Sequence, residues 1–149
     1  MEGISIHHRR IQDWGQQLAR LREIYPPDVA WNLPLNFSRL SPNLVNQFSR
    51  WLQGESQEHW TAYYEDKMVG ALSWEPMRSS TDALWLAAWG EHEEAAVQSL
   101  LTHARFSLSG RSRPMAVNYP AGRSAEAFLR SGFSNHQTLI WMSANLNQE

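Results

Sequence analysis

The chain has no cysteine among its 149 residues, which excludes disulfide cross-links and thiolate chemistry and fits a reducing, cytoplasmic setting. Lysine is nearly absent, with Lys67 alone beside 12 arginines, a bias that GC-rich coding explains more simply than an arginine-rich binding surface. Positive charge is not in excess either. The formal net charge of −2 argues against a dedicated nucleic-acid binder. No apolar run approaches the ~18 residues needed to span a bilayer. The opening MEGISIHHRRIQDW lacks the apolar centre of a signal peptide, so no membrane partner is expected. Metal-ligand spacing is missing as well. His7 and His8 are adjacent, and adjacent strand residues point to opposite faces, while the other histidines are scattered. No metal site is expected. There is no Gly-x-Ser-x-Gly elbow and no Gly-x₄-Gly-Lys-Ser/Thr phosphate loop. Tryptophan is what the chain has in quantity: eight rings, suited to core or groove walls because each needs only one polar partner.

A chain of this length makes one domain with a proper core. Its most informative stretch runs from Asp82 to Leu108. Ala83 to Trp89 is continuously apolar, as in a strand covered on both faces, and Gly90 turns the chain. Val97, Leu100, Leu101, Ala104 and Leu108 then recur at helical spacing and predict a core-facing stripe. Before this, Ile4 to Ile11 reads as a first strand and Gln12 to Tyr25 as a helix stopped by Pro26 and Pro27. Asp28 to Leu40 reads as a loop. Ser41-Pro42 is a helix start, Leu44, Val45, Phe48, Trp51 and Leu52 its expected buried face, and Gly54 its end.

His59 to Tyr64 and Met68 to Trp74, joined by Glu65-Asp66-Lys67, predict an antiparallel hairpin. Met77 to Thr81 is a loop and Gly110 to Arg113 a basic turn. Met115 to Tyr119 reads as a short strand, Ser124 to Ser131 as a short helix closed by Gly132, and Thr138 to Ala144 as a final strand. The order β-α-α-β-β-β-α-β-α-β predicts an α/β domain with a mixed, mostly antiparallel sheet and helices on both faces.

That order resembles the GNAT acetyltransferase superfamily over nearly the whole chain. Tyr64 to Leu72 (YEDKMVGAL) looks like the family's hairpin. Leu84-Trp85-Leu86-Ala87 and the helix carrying Ser99-Leu100-Leu101 look like its cofactor strand and helix. Ala125 to Phe133 (AEAFLRSGF) looks like its late helix, which closes on a "GF" pair. The resemblance implies an opening between the fourth and fifth strands that takes the pantetheine arm of acetyl-CoA. Leu86, Ala87, Ala88 and Trp89 would border it, with the two alanines leaving room or simply letting the next helix pack closely.

The family's glycine-rich pyrophosphate turn falls on His92, Ala95, Ala96 and Val97, where Glu91, Glu93 and Glu94 crowd the helix start. Acids suit a helix N-terminus by roughly 0.3–1 kcal/mol each when it holds no anion. Facing a bound phosphate they repel it. Ala121 and Phe128 stand where the family often has an asparagine and a proton-donating tyrosine. Tyr119 is a candidate substitute, Glu75 and Asp82 are candidate bases or plain loop acids, and Trp31 and Phe37 are candidate walls for an acceptor. Arg105, Arg111, Arg113 and Arg123 would meet a 3′-phosphate of the cofactor or favour the helix C-terminus.

Two functions remain open on these residues. One is acetyl-CoA-dependent N-acetylation of a small-molecule amine. The other is a GNAT-shaped module that has lost catalysis and binds a partner, as a homodimer or beside a tandem GNAT half.

Overall fold

The computed structural model describes residues 3–54, 56–140 and 142. Among the described residues five strands form one sheet in the order β1-β2-β3-β4-β5. They are β1 (Ile4–His8), β2 (Glu58–Tyr64), β3 (Lys67–Glu75), β4 (Asp82–Ala88) and β5 (Met115–Val117). The hairpin forms as its composition predicts, with Tyr64 opposite Lys67 and Glu65 taking the left-handed turn conformation at φ 52°. β3 and β4 pair antiparallel from Gly70–Ala88 to Glu75–Ala83. β4 and β5 are the parallel pair and meet only over Asp82–Met115 to Leu84–Val117. The mostly antiparallel mixed sheet is therefore present.

Helix α1 (Trp14–Ile24) lies on one face of the sheet, and α5 (Glu93–Ser107) with α6 (Ala125–Arg130) on the other. The predicted stripe of α5 is buried against Trp60, Leu72, Trp74, Leu84 and Leu86. Gly70 sets how closely that helix sits. A Cβ there would lie 3.0 Å from Leu100 Cδ1 and 3.2 Å from Ala96 Cβ, so any side chain would push α5 off the sheet. On the opposite face Leu21, Ile24, Tyr25 and Leu40 pack with Trp85 and Ala87.

Several expectations need correction. The Asp28–Leu40 stretch holds two single-turn helices, α2 (Pro27–Ala30) and α3 (Phe37–Leu40). The helix foreseen from Ser41-Pro42 is α4 (Leu44–Gln53), which starts later because Asn43 caps it by accepting the Val45 N–H at 2.9 Å. Gly54 ends α4 at φ 67°, as expected. Its supposed buried face is outside: Leu44, Val45, Phe48, Trp51 and Leu52 are 61–76% exposed. The cause lies beneath it, where this side of the sheet is polar. Arg9 Nη1 donates to Gln17 Oε1 at 2.9 Å, and Gln17 Nε2 donates to Ser73 Oγ at 2.8 Å. His59 Nδ1 is 2.7 Å from the same hydroxyl. The final strand foreseen at Thr138–Ala144 is not formed at residues 138–140 or 142, and its remainder lies outside the described residues.

Candidate active site

In a parallel pair every second N–H of a strand faces the same neighbour. The Asp82 N–H donates to the Pro114 carbonyl at 2.9 Å, so the N–H groups of Leu84, Leu86 and Ala88 also look toward β5. β5 ends at Val117, opposite Leu84, and leaves Leu86 and Ala88 beyond the last rung. The strands part there, where the sequence resemblance places its opening.

Two tyrosines bridge that gap. The Tyr25 hydroxyl faces the Leu86 amide and donates to the Asn118 carbonyl at 2.5 Å. The Tyr119 hydroxyl faces the Ala88 amide and donates to Glu93 Oε1 at 3.0 Å. Tyr25 arrives from the residue closing α1, and its ring stands edge-on to Trp85 at 5.7 Å. Burial raises the pKa of both phenols, and the charge of Glu93 raises that of Tyr119 further. Both hydroxyls keep their protons at neutral pH. The Tyr119 proton points at a carboxylate of its own chain.

Glu93 is the first residue of α5, and its carboxylate sits in a cage of donors. Arg123 Nη2 reaches Oε2 at 2.8 Å and Arg123 Nε reaches Oε1 at 3.1 Å. The Ser124 hydroxyl adds a bond at 3.4 Å. A carboxylate at this end of the helix meets the positive end of the dipole, as a bound phosphate would. Phe128 tilts against Tyr119 at 5.3 Å between ring centres. The Arg123 guanidinium lies 5.6 Å from the centre of the Tyr119 ring.

The remaining sequence candidates fall as follows. Leu86, Ala87 and Ala88 are buried in β4, with Leu86 and Ala88 toward α5 and Ala87 toward α1. Trp89 is half-buried with Arg20 over its ring at 5.1 Å. His92 precedes α5 and stacks on Tyr64 at 3.8 Å. Ala95 is half-buried, and Ala96 and Val97 are core residues. Ala121 is exposed. Trp31 is 75% exposed, and Phe37 packs on the α1-side core with Arg22 over its ring at 5.9 Å.

The two candidate bases are held in ion pairs. Glu75 ends β3 opposite Ala83, about 17 Å along the sheet from the Gly70–Ala88 rung. It is 3.3 Å from Arg39 Nε and accepts from Gln57 Nε2 at 2.9 Å. Asp82 is fully buried and accepts from Trp74 Nε1 at 3.3 Å and Arg111 Nε at 3.0 Å, with Arg113 Nε also at 3.3 Å. Arg105 donates to the Ser131 carbonyl at 2.7 Å. The four arginines offered for a cofactor phosphate are thus engaged with groups of the chain itself.

Tyr25, Ser124 and the Glu93–Arg123 pair escaped the sequence reading. Only Tyr25 left a signal, since a tyrosine on a core-facing helical stripe needs a partner for its hydroxyl.

Neither a protein-family model nor a curated protein sequence matches the chain. Solved structures do. A spermidine N-acetyltransferase from Vibrio cholerae, solved with CoA and spermine, is similar at TM-score 0.57 and 9% identity, over 94% of this chain and 86% of that one. The aminoglycoside 6′-N-acetyltransferase AAC(6′)-IG from Acinetobacter haemolyticus is similar at TM-score 0.54 and 12% identity, over 96% and 99%. The fold is the GNAT acetyltransferase fold. A transcriptional regulator from Bacillus halodurans C-125 is similar at TM-score 0.57 and 14% identity, over 95% and 99%. At such identities the GNAT likeness concerns the backbone, and function has to be argued from the side chains in the cleft.

Proposed function

We propose that this chain is a GNAT-fold binding and dimerisation module whose donor cleft is shut by its own side chains. One observation carries this: the Tyr25 and Tyr119 hydroxyls stand at the two β4 amides that face the opening, Leu86 and Ala88, and are tied across it to the Asn118 carbonyl and to Glu93. Acetyl-CoA, the cofactor this fold implies, does not fit that arrangement. Its pantetheine arm would have to displace two tyrosyl hydroxyls. Its diphosphate would have to displace the Glu93 carboxylate from Arg123 or lie beside it. At roughly 1 kcal/mol for each bond surrendered, displacing four costs about 3–5 kcal/mol, or on the order of 10²–10⁴-fold in affinity. A micromolar site becomes a millimolar one.

A second reading has an observation in its favour. The strands still part beyond Leu84–Val117, and small Ala87 and Ala88 stand beside the gap. With Tyr119 and Glu93 withdrawn, that gap suits an acetyl-CoA-dependent N-acetyltransferase acting on a small amine such as a polyamine or aminoglycoside.

Thermal shift with acetyl-CoA separates the two. A ligand present at 100 times its dissociation constant adds about 2.7 kcal/mol of stability. The closed module gives almost no shift at ~100 μM acetyl-CoA, and the Glu93→Gly, Tyr119→Phe double variant gains one. A shift in the unmodified chain at micromolar cofactor, with acetylation of spermine or an aminoglycoside, establishes the transferase instead.

A further inference from the structure

Helix α4 is amphipathic and inside out. Its half-buried residues are Asn46 and Arg50. Asn46 Nδ2 donates to the Ser38 carbonyl at 2.7 Å, and Arg50 lies close enough to His59 and Arg9 to lower the pKa of both. The apolar residues Leu44, Val45, Phe48, Trp51 and Leu52 point away, at the i, i+1, i+4, i+7, i+8 spacing of a single stripe. Turning the helix over would press that stripe onto Arg9, Gln17, Ser73 and His59, and would strip those polar groups of their polar cover. The polar neighbours of Arg50 therefore favour this orientation, and no described residue covers the stripe.

The chemistry of the stripe selects its occupant. It bears no charge, and Arg50, the one charged residue of α4, is on the inner side. A helix that lies on anionic lipid carries lysines and arginines around its apolar face, whereas this one has none there and belongs to a chain of net charge −2. A charged peptide would likewise find no counter-charge. The complement of an uncharged apolar stripe is another such stripe, and a second copy brings one of equal length through a two-fold axis. The area is appropriate. Five large side chains this exposed offer on the order of 600 Å², and the polar flanks bring that toward the ~800 Å² each partner gives a standard interface. Phe48 and Trp51, whose rings meet at 6.0 Å, form the aromatic centre such an interface needs.

We propose that two copies of this chain pair about a two-fold axis through the exposed face of α4. This names the partner for the module reading above but stands on residues that play no part in the cleft. Sedimentation equilibrium of the full chain is expected to show a dimer at micromolar concentration. Phe48→Glu with Trp51→Glu should weaken it at least ~100-fold and leave the circular dichroism unchanged, since both side chains are exposed. Because the chain has no cysteine, Phe48→Cys alone should oxidise to a covalent dimer, and Glu126→Cys on α6 should not.

A monomer at roughly 100 μM overturns the proposal. So does a dimer that survives the double glutamate variant, or a monomer that sediments with phosphatidylcholine vesicles through α4. A failed dimer with acetyl-CoA still excluded rejects this interface alone. Acetyl-CoA binding by an intact dimer rejects the closed cleft alone.

Discussion

Replacing Tyr25 by phenylalanine removes one oxygen from the gap between β4 and β5 and leaves the ring where it is, 2% exposed against Trp85. The oxygen faces the Leu86 N–H and donates to the Asn118 carbonyl. These two groups fare differently when it goes. Leu86 is fully buried, so its amide loses its acceptor with no water to replace it, at a cost of about 1–3 kcal/mol. Asn118 is exposed, and its carbonyl turns to solvent at little cost. The sum is about 1–3 kcal/mol, which for a domain of this size is a melting point lowered by roughly 2–12 °C. Urea unfolding followed by tryptophan fluorescence reads this directly, because Trp85 touches the altered ring. The slope against urea should not change. A loss below about 0.5 kcal/mol would mean that the hydroxyl is not buried between the strands, and the closed cleft would lose its main support.

Three further outcomes are expected. Tyr119→Phe should cost less than Tyr25→Phe, about 1 kcal/mol, because Tyr119 is only half-buried and Glu93 keeps Arg123. Asp82→Asn takes the charge from a buried carboxylate beside Arg111, Arg113 and Trp74. Each arginine is about a third exposed, so solvent softens the loss to about 1–3 kcal/mol, measurable by chemical denaturation. His59 sets an acid limb. Burial first, and then the charges of Arg9 and Arg50, lower its pKa to about 3, while the unfolded chain takes up that proton near 6.5. Between these values the unfolded state binds more protons, so stability falls as pH drops from 6.5 toward 3, by at most about 1.4 kcal/mol per pH unit. His59→Asn should flatten that limb in denaturation curves taken between pH 6.5 and 4.5.

The parts of the fold that local pattern determines were legible. The β2–β3 hairpin, the apolar β4 and the stripe of α5 each carry their own period within a few residues, and each formed where its period said. Helix α4 shows where pattern stops. Its apolar face was read correctly as a face, but periodicity does not say on which side the core lies. That side was decided by Arg9, Gln17, His59 and Ser73, four residues far apart in sequence that meet only after folding. The site divides in the same way. Crowding of acids at the start of α5 was visible as three glutamates in four positions. What Glu93 does with its charge depended on Arg123 and Tyr119, about thirty residues on, across a crossover that no local pattern encodes. Tyr25 looked like the last turn of a helix before two prolines, and only the parting of β4 from β5 gave its hydroxyl a task.

The most direct test of the closed cleft follows the backbone amides of Leu86 and Ala88 in a ¹⁵N-labelled sample while acetyl-CoA is added. Both amides should be slow to exchange with solvent before any addition, because each is buried against a tyrosyl hydroxyl, and neither resonance should move at micromolar acetyl-CoA. Fast exchange at rest, or shifts that saturate at micromolar acetyl-CoA and centre on these two residues, would show the gap to be open to the cofactor.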